Sequence, residues 1–316
     1  MDVKVKLLMF AVDLLAPLIV GYLCRFQNKL KDKFFNKMIL NNILVVYPAL
    51  SFLSFWVLPL NMELIWLPLL GLAMGLIPGA VGYFIAEHKY ASDLERGSYV
   101  MSAILSNVGT LGGLCVFLLY GETGYAYQQL VVLFQYILMF IFCYPLAQYY
   151  YERSRGLPGG QRISVKAIIF SRNQLAVLGI LLGAVLNLVG IQRPTVFGLF
   201  FNPLVHLGAW TALIPVGYSI DIAKLGDYFK SVKDIVFIKF FVTPLCVYGL
   251  ASIVISDHIM LNSILVLACM PTAVNAVITA RIYNLNLHIP VAAFILTTLV
   301  FLLVIYPALF MFLAYK

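Results

Sequence analysis

Apolar runs separated by short polar, mostly basic connections fill this chain. They fall at roughly 7–24, 37–57, 63–86, 97–119, 124–150, 173–190, 195–220, 233–256, 261–282 and 289–314. Each is near the ~20 residues that a bilayer core requires, and several are long enough to tilt. The pattern predicts ten transmembrane helices, the 195–220 run with its two prolines being the least regular. Two runs carry a stretch of weak helix near their middles. One is Ser106-Asn107-Val108-Gly109-Thr110-Leu111-Gly112-Gly113, and the other is Met270-Pro271-Thr272-Ala273-Val274-Asn275. A helix in lipid must satisfy its own backbone hydrogen bonds, so broken helix at membrane depth is tolerated only where protein or a wet cavity surrounds it. A pair of such interruptions at equivalent places in two halves points to the binding site of a transporter.

The halves follow from the connections. The longest, residues 151–172, contains Glu152-Arg153-Ser154-Arg155-Gly156-Leu157-Pro158-Gly159-Gly160 and has the composition of a linker. It follows the fifth span, and an odd number of spans makes any repeat across it inverted in the membrane. The expected organisation is a five-helix repeat over 1–150, a cytoplasmic linker over 151–172 and a second, inverted repeat over 173–316. Internal correspondence supports it: the interrupted spans are the fourth of each half. Tyr144-Pro145 closes the fifth span as Tyr306-Pro307 closes the tenth.

Composition agrees with the pattern: 63% of residues are apolar and 11% charged, against near half and about a quarter in soluble domains. The formal net charge of +8 would suit nucleic acid, but its placement excludes that partner. Of the 21 Lys and Arg residues, sixteen fall in the connections after odd-numbered spans and four on the opposite side, with Lys239 inside the eighth. Basic loops face the cytoplasm, so both termini are expected outside it, in a multi-pass protein of the plasma membrane. The first run reads as a span rather than a cleaved signal peptide, since a basic loop and no small-residue cleavage pattern follows it. The five cysteines lie in apolar runs without metal-ligand spacing and read as small buried hydrophobes.

Enzyme readings find no support. The four histidines form no His-x-x-x-His pair, and neither an aspartate-rich pyrophosphate motif nor a Walker-type phosphate loop is present. No cofactor is implied. Asn107 and Asn275 are the strongest binding candidates, because an amide in lipid is costly without partners and each stands beside a helix breaker. Neither interrupted span carries a charge at mid-depth. A carboxylate there would be held by free N–H groups at half-helix starts and by asparagine amides, with Gly109 and Gly112 permitting close backbone approach. Gln135 in the fifth span offers a further amide. Three ionisable groups lie in other spans. Asp13, in the outer half of span one, and His206, in span seven, are candidates for proton coupling. Lys239, in the inner third of span eight, is expected to snorkel to the cytoplasmic edge.

At the two interruptions the chain resembles the auxin efflux carrier family, which includes the plant PIN proteins and many bacterial organic-acid carriers. Ser106-Asn107-Val108-Gly109-Thr110-Leu111-Gly112 is similar to that family's Ser-Asn-Thr-Gly-Phe-x-Gly signature. Ala268-Cys269-Met270-Pro271-Thr272-Ala273-Val274-Asn275 is similar to its Ala-Met-Pro-Thr-Ala-x-Asn signature. Asn41-Asn42 to Pro48-Ala49, and Val132 to Phe142 around Gln135, match more loosely. Leu114 departs from the pattern, standing where many members have proline. The short linker lacks the long hydrophilic loop of many plant carriers and resembles the bacterial type. The resemblance implies an all-α integral membrane fold like that of bile-acid/sodium symporters. Ten helices would form a 5+5 inverted repeat in which helices 4 and 9 break and cross, and spans 1, 2, 6 and 7 would form a scaffold. It also implies an organic-anion substrate such as auxin, malate or malonate.

The sequence thus predicts a secondary transporter of a small organic anion working by alternating access, with elevator-type movement of one domain. The substrate-binding candidates are Ser106, Asn107, Gly109, Gly112, Gln135, Pro271, Thr272 and Asn275. The partners are the anion, the lipid bilayer and, as a candidate, a second copy in a homodimer. The competing class is a membrane sensor that binds in the same pocket without transport, against which the lack of any encoded output domain speaks. A channel is disfavoured because charged rings and a repeated filter sequence are missing.

Overall fold

The computed structural model describes residues 3–27, 32–156, 174–219, 226 and 228–314; most of the expected linker, 157–172, lies outside them. Among the described residues the fold is helical, apart from one isolated antiparallel bridge. The helices are α1 (Val3–Cys24), α2 (Asp32–Asn41), α3 (Tyr47–Val57), α4 (Trp66–Lys89), α5 (Asp93–Ile104), α6 (Gly113–Leu138) and α7 (Tyr144–Ser154). After the linker come α8 (Gln174–Leu188), α9 (Thr195–Ser219), α10 (Thr243–Val254), α11 (His258–Ala268), α12 (Val274–Ile282), α13 (His288–Val300) and α14 (Tyr306–Ala314). Within the irregular 195–220 run, Thr195–Ser219 is one helix, with Pro203 and Pro215 inside it.

Among the described residues six helical stretches are long and apolar enough to cross a membrane: Lys33–Val57, Met62–Lys89, Val108–Ser154, Thr195–Tyr218, Lys233–Val254 and His288–Leu313. Shorter apolar helices cover Val12–Cys24, Leu175–Leu188 and His258–Ala268. Large apolar side chains such as Leu182, Leu199, Ile253 and Leu303 point outward, which suits a surface wetted by lipid rather than water.

Proline explains where several helices widen. A π-helical turn at Asn42–Val46, Met139–Cys143, Ile238–Val242 and Phe301–Ile305 each runs directly into an X-Pro pair opening the next helix, at Pro48, Pro145, Pro244 and Pro307. The ring clashes with the carbonyl four residues back and supplies no N–H; a wider turn relieves both. The two Tyr-Pro pairs noted in the fifth and tenth runs therefore share one local structure.

The expected spans four and five meet inside α6. Gly121 there has φ 63° and ψ −147°, a conformation essentially reserved for glycine, and the chain reverses at this point.

The chain divides into two compact units. The first comprises 1–64, 109–129 and 169–220, and so gathers α1, α2, α3, α8 and α9 with the hairpin around Gly121. These helices cover expected spans 1, 2, 6 and 7. Its helices approach through small residues, the device of membrane helix packing. A Cβ at Gly21 would stand 2.0 Å from the Ile214 carbonyl oxygen, and one at Gly217 2.1 Å from that of Leu18, so α1 and α9 touch backbone to backbone. Gly179 and Gly183 of α8 lie equally close to the Pro48 and Phe52 carbonyls of α3. The second unit comprises 65–108, 130–168 and 221–316. There α4 uses Gly71 against the Val131 carbonyl and Gly82 against Ala103. At one end Glu87, Asp93, Arg96 and Arg153 form an ion-pair network. Beside it burial pushes the Tyr90 phenol up to about 12, and its hydroxyl donates to the Ser231 carbonyl.

Candidate functional site

The start of the first interruption, Ser106–Val108, and the whole of the second fall in the second unit, and the structure brings them together. α5 ends at Ile104, and Leu105 turns extended (φ −82°, ψ 111°). α11 ends at Ala268, and Ala273 is likewise extended (φ −81°, ψ 153°) before α12. Ser106 and Thr272 pair as an antiparallel bridge. The Asn107 N–H donates to the Pro271 carbonyl at 2.8 Å, and the Ala273 N–H to the Leu105 carbonyl at 2.8 Å. Each break thus satisfies backbone groups of the other, which removes the cost of unwinding away from water.

Side chains complete the satisfaction. The Thr272 hydroxyl donates to the Ser102 carbonyl at 3.0 Å and its N–H to Thr297 Oγ1 at 3.0 Å. Lys239 Nζ donates to the Ala103 carbonyl at 2.5 Å and to Ser106 Oγ at 2.7 Å. The last carbonyls of α5, orphaned by the break, are thereby capped. The expectation that Lys239 snorkels is corrected here: it is 0% exposed. Its four-carbon stem delivers the ammonium to the oxygens of the break instead of to a surface.

The candidate residues divide by role. Ser106, Pro271 and Thr272 have bonded groups within the junction, and Pro271 and Thr272 are buried. Asn107 is half-buried and Asn275, in the first turn of α12, is exposed. Neither side chain has a hydrogen-bond partner among the described residues. Gln135 is half-buried on α6 in the same unit and carries no bond to the junction. Gly109 and Gly112 belong to the π-helical turn Val108–Gly112, where the chain passes into the first unit at Gly109. Around Gly109 the space is open: a Cβ there would meet nothing within 4 Å. Leu114 does not interrupt the helix; it lies buried in the first turn of α6.

The first unit holds polar groups that the sequence reading passed over. Ser51 Oγ donates to Gln129 Oε1, Gln129 Nε2 to Gln128 Oε1, and Gln128 Nε2 to the Gly109 carbonyl, each at 3.1 Å. Tyr47 and Thr110 share a hydrogen bond of 3.1 Å. Tyr47, Thr110, Gly109, Leu114, Tyr125 and Gly208 line a small, partly open cleft. Beside Gly208, buried Asn42 donates to its carbonyl at 2.8 Å, leaving Asn42 Oδ1 without a partner among the described residues. The signal was present as polar residues at helical spacing in apolar runs, Tyr47 with Ser51 and the Gln128-Gln129 pair.

Asp13 and His206, singled out separately in the sequence, are partners. His206 Nδ1 lies 2.5 Å from Asp13 Oδ2, and Trp210 Nε1 donates to Asp13 Oδ1 at 3.0 Å. The carboxylate is 7% exposed, so these bonds across the α1–α9 contact supply what water would otherwise give it.

Apolar helices with two mutually satisfied breaks and unpaired amides beside them define a multi-pass membrane protein of the transporter class. A family model described as "Membrane transport protein" matches residues 8–308. The chain therefore belongs to that family, the auxin efflux carriers, as the two signatures suggested. Among its relatives is the uncharacterized transporter YfdV of Escherichia coli K12, 24% identical over 313 residues, covering 92% of this chain and 96% of the relative. The uncharacterized transporter MJ1031 of Methanocaldococcus jannaschii is 24% identical over 304 residues, covering 91% and 92%.

Proposed function

We propose that this protein is a secondary carrier of a small organic anion, a dicarboxylate or an auxin-like weak acid, working by alternating access around its two breaks. The observation that carries the reading is the junction itself. Its backbone groups pair across the two breaks, yet the Asn107 and Asn275 amides have no partner among the described residues. α12 starts at Val274, so its first N–H groups and positive dipole end stand beside Asn275, an arrangement suited to a carboxylate. Ten spans in a 5+5 inverted arrangement, with helices 4 and 9 crossing and both termini outside the cytoplasm, complete the reading. The shared π-turn and Tyr-Pro structure of the fifth and tenth spans supports the repeat. The sixteen-to-four split of basic residues supports the orientation.

The test is uptake of a labelled panel of mono- and dicarboxylates into proteoliposomes, with and without imposed pH and sodium gradients. Uptake of at least one acid above protein-free vesicles is expected. Saturable binding without any uptake would replace the carrier with a sensor. In the same assay Asp13→Asn is expected to abolish the response to a pH gradient while leaving substrate binding within about twofold, because it removes the proton-accepting partner of His206. An unchanged response to pH would leave Asp13 a packing residue that holds α1 against α9.

A further inference from the structure

Residues 109–129 form a hairpin that packs within the first unit, yet the chain on both sides of it runs on into the second. Its base has the marks of a hinge. A π-helical turn spans Val108–Gly112, and the space a Cβ would take at Gly109 is open. Gln128 Nε2 donates to the Gly109 carbonyl at 3.1 Å and so ties the two ends of the hairpin together. The hairpin is also one wall of the cleft. It supplies Thr110, Leu114 and Tyr125, against Tyr47 of α3 and Gly208 and Ala209 of α9. Along this wall the contacts are uncharged. Phe117 and Tyr125 pack on Phe201 with ring centroids 5.7 and 5.5 Å apart, and Tyr47 shares its hydrogen bond with Thr110.

The tip is held differently. Gly121 reverses the chain, and the next residue, Glu122, meets Arg193 of the connection between α8 and α9. Arg193 Nη1 donates to Glu122 Oε2 at 2.7 Å and Nη2 to Oε1 at 3.2 Å, a two-pronged pair with side chains 12% and 28% exposed. The guanidinium is fixed independently of the hairpin. Its Nη1 also donates to the Leu53 carbonyl of α3 at 2.9 Å, and it passes so close to Gly198 of α9 that a Cβ there would stand 3.0 Å from Nη2. A preset fork thus meets a carboxylate carried on a hinged segment. Bidentate, charge-assisted pairs are strong and directional. When Glu122 leaves, Arg193 keeps its bond to Leu53, so the pair can part without stranding the guanidinium.

We propose that the Arg193–Glu122 pair is a latch. Closed, it holds hairpin 109–129 on α3 and α9 and covers the α9 wall of the cleft, where Ala209 is buried. Open, it lets the hairpin swing at Gly109 and uncovers that wall. The transport arm of the test rests on the carrier reading; the labelling arm does not.

The labelling arm follows alkylation of Ala209→Cys by a water-soluble maleimide in folded, purified protein. The background carries Cys24→Ser, Cys115→Ser and Cys246→Ser, which leaves only the buried Cys143 and Cys269. Glu122→Gln and Arg193→Gln are each expected to speed labelling at least about tenfold, since each removes a hydrogen bond between charged groups. The double variant is expected to match the faster single variant within about twofold, because both remove one shared interaction. Unchanged labelling in the single variants, or rates that multiply in the double, overturns the proposal. Should the variants not fold, hydrogen exchange of wild type decides. Amides of 113–129 exchanging at least about tenfold faster than those of α1 and α9 support a hairpin that opens by itself; equal protection overturns it. In the transport arm Glu122→Cys with Arg193→Cys, in the same background, is bridged by a bis-methanethiosulfonate reagent in proteoliposomes. Bridging is expected to stop uptake and reductant to restore it; full uptake by the bridged protein makes the pair a static staple and overturns the latch. Failure of wild type to transport any acid counts against the carrier reading and leaves the labelling arm standing.

Discussion

Asn107→Ala and Asn275→Ala are each expected to weaken binding of the transported acid about ten- to a hundredfold, with thermal stability close to wild type. Losing a hydrogen bond to a charged partner costs roughly 1.5–3 kcal/mol, and each ~1.4 kcal/mol is a factor of ten in affinity. The stability half of the expectation comes from the structure. Neither amide has a partner among the described residues, so its removal leaves no buried group unsatisfied. Thr272→Val provides the contrast: it deletes the hydroxyl that donates to the Ser102 carbonyl at a fully buried position. It should lower stability by about 1–3 kcal/mol whatever it does to binding. Calorimetric or fluorescence titration of the three variants separates the roles. Near-normal affinity in both asparagine variants would reduce the junction to a packing feature.

Gly217→Ala is expected to cost at least about 3 kcal/mol, seen as a sharp fall in folded yield and thermal midpoint. The added methyl would sit 2.1 Å from the Leu18 carbonyl oxygen and 2.9 Å from its carbon. These are backbone atoms that no rotamer change can move aside, so α1 and α9 must separate. Overpacking against mobile side chains costs about 1–3 kcal/mol; this clash exceeds that case. Separation would also pull Asp13 of α1 from His206 and Trp210 of α9, so the damage spreads to a buried carboxylate. Gly249→Ala in α10 is the control. A Cβ there meets nothing within 4 Å, and replacing a helical glycine by alanine gains up to ~1 kcal/mol. Equal melting of Gly217→Ala and wild type would contradict the close α1–α9 contact.

Where the helices break was legible in the sequence, because the cause is local. Gly109, Gly112 and Pro271 weaken or remove helical hydrogen bonds wherever they stand, and polar neighbours in an apolar run mark the spot as somewhere other than lipid. The turn at Gly121 was less legible, since an apolar run on both sides of it hides a single residue of positive φ.

What satisfies each break was not written in either run alone. Pairing of Ser106 with Thr272, and the donation from Lys239 to Ala103 across 136 positions, depend on which helices the fold brings into contact. The same holds for the Asp13–His206 pair, 193 positions apart. Taken singly, a lysine near a membrane edge snorkels and a lone histidine packs; placed by packing, one became a buried donor to the break and the other the partner of a carboxylate. The sequence by itself determined the membrane class, the family and the sites of backbone weakness, since each is a property of neighbouring residues and their solvent. Only the tertiary structure decided which polar group answers which. In a protein surrounded by lipid an unsatisfied group has no water to turn to, and its partner must come from another helix.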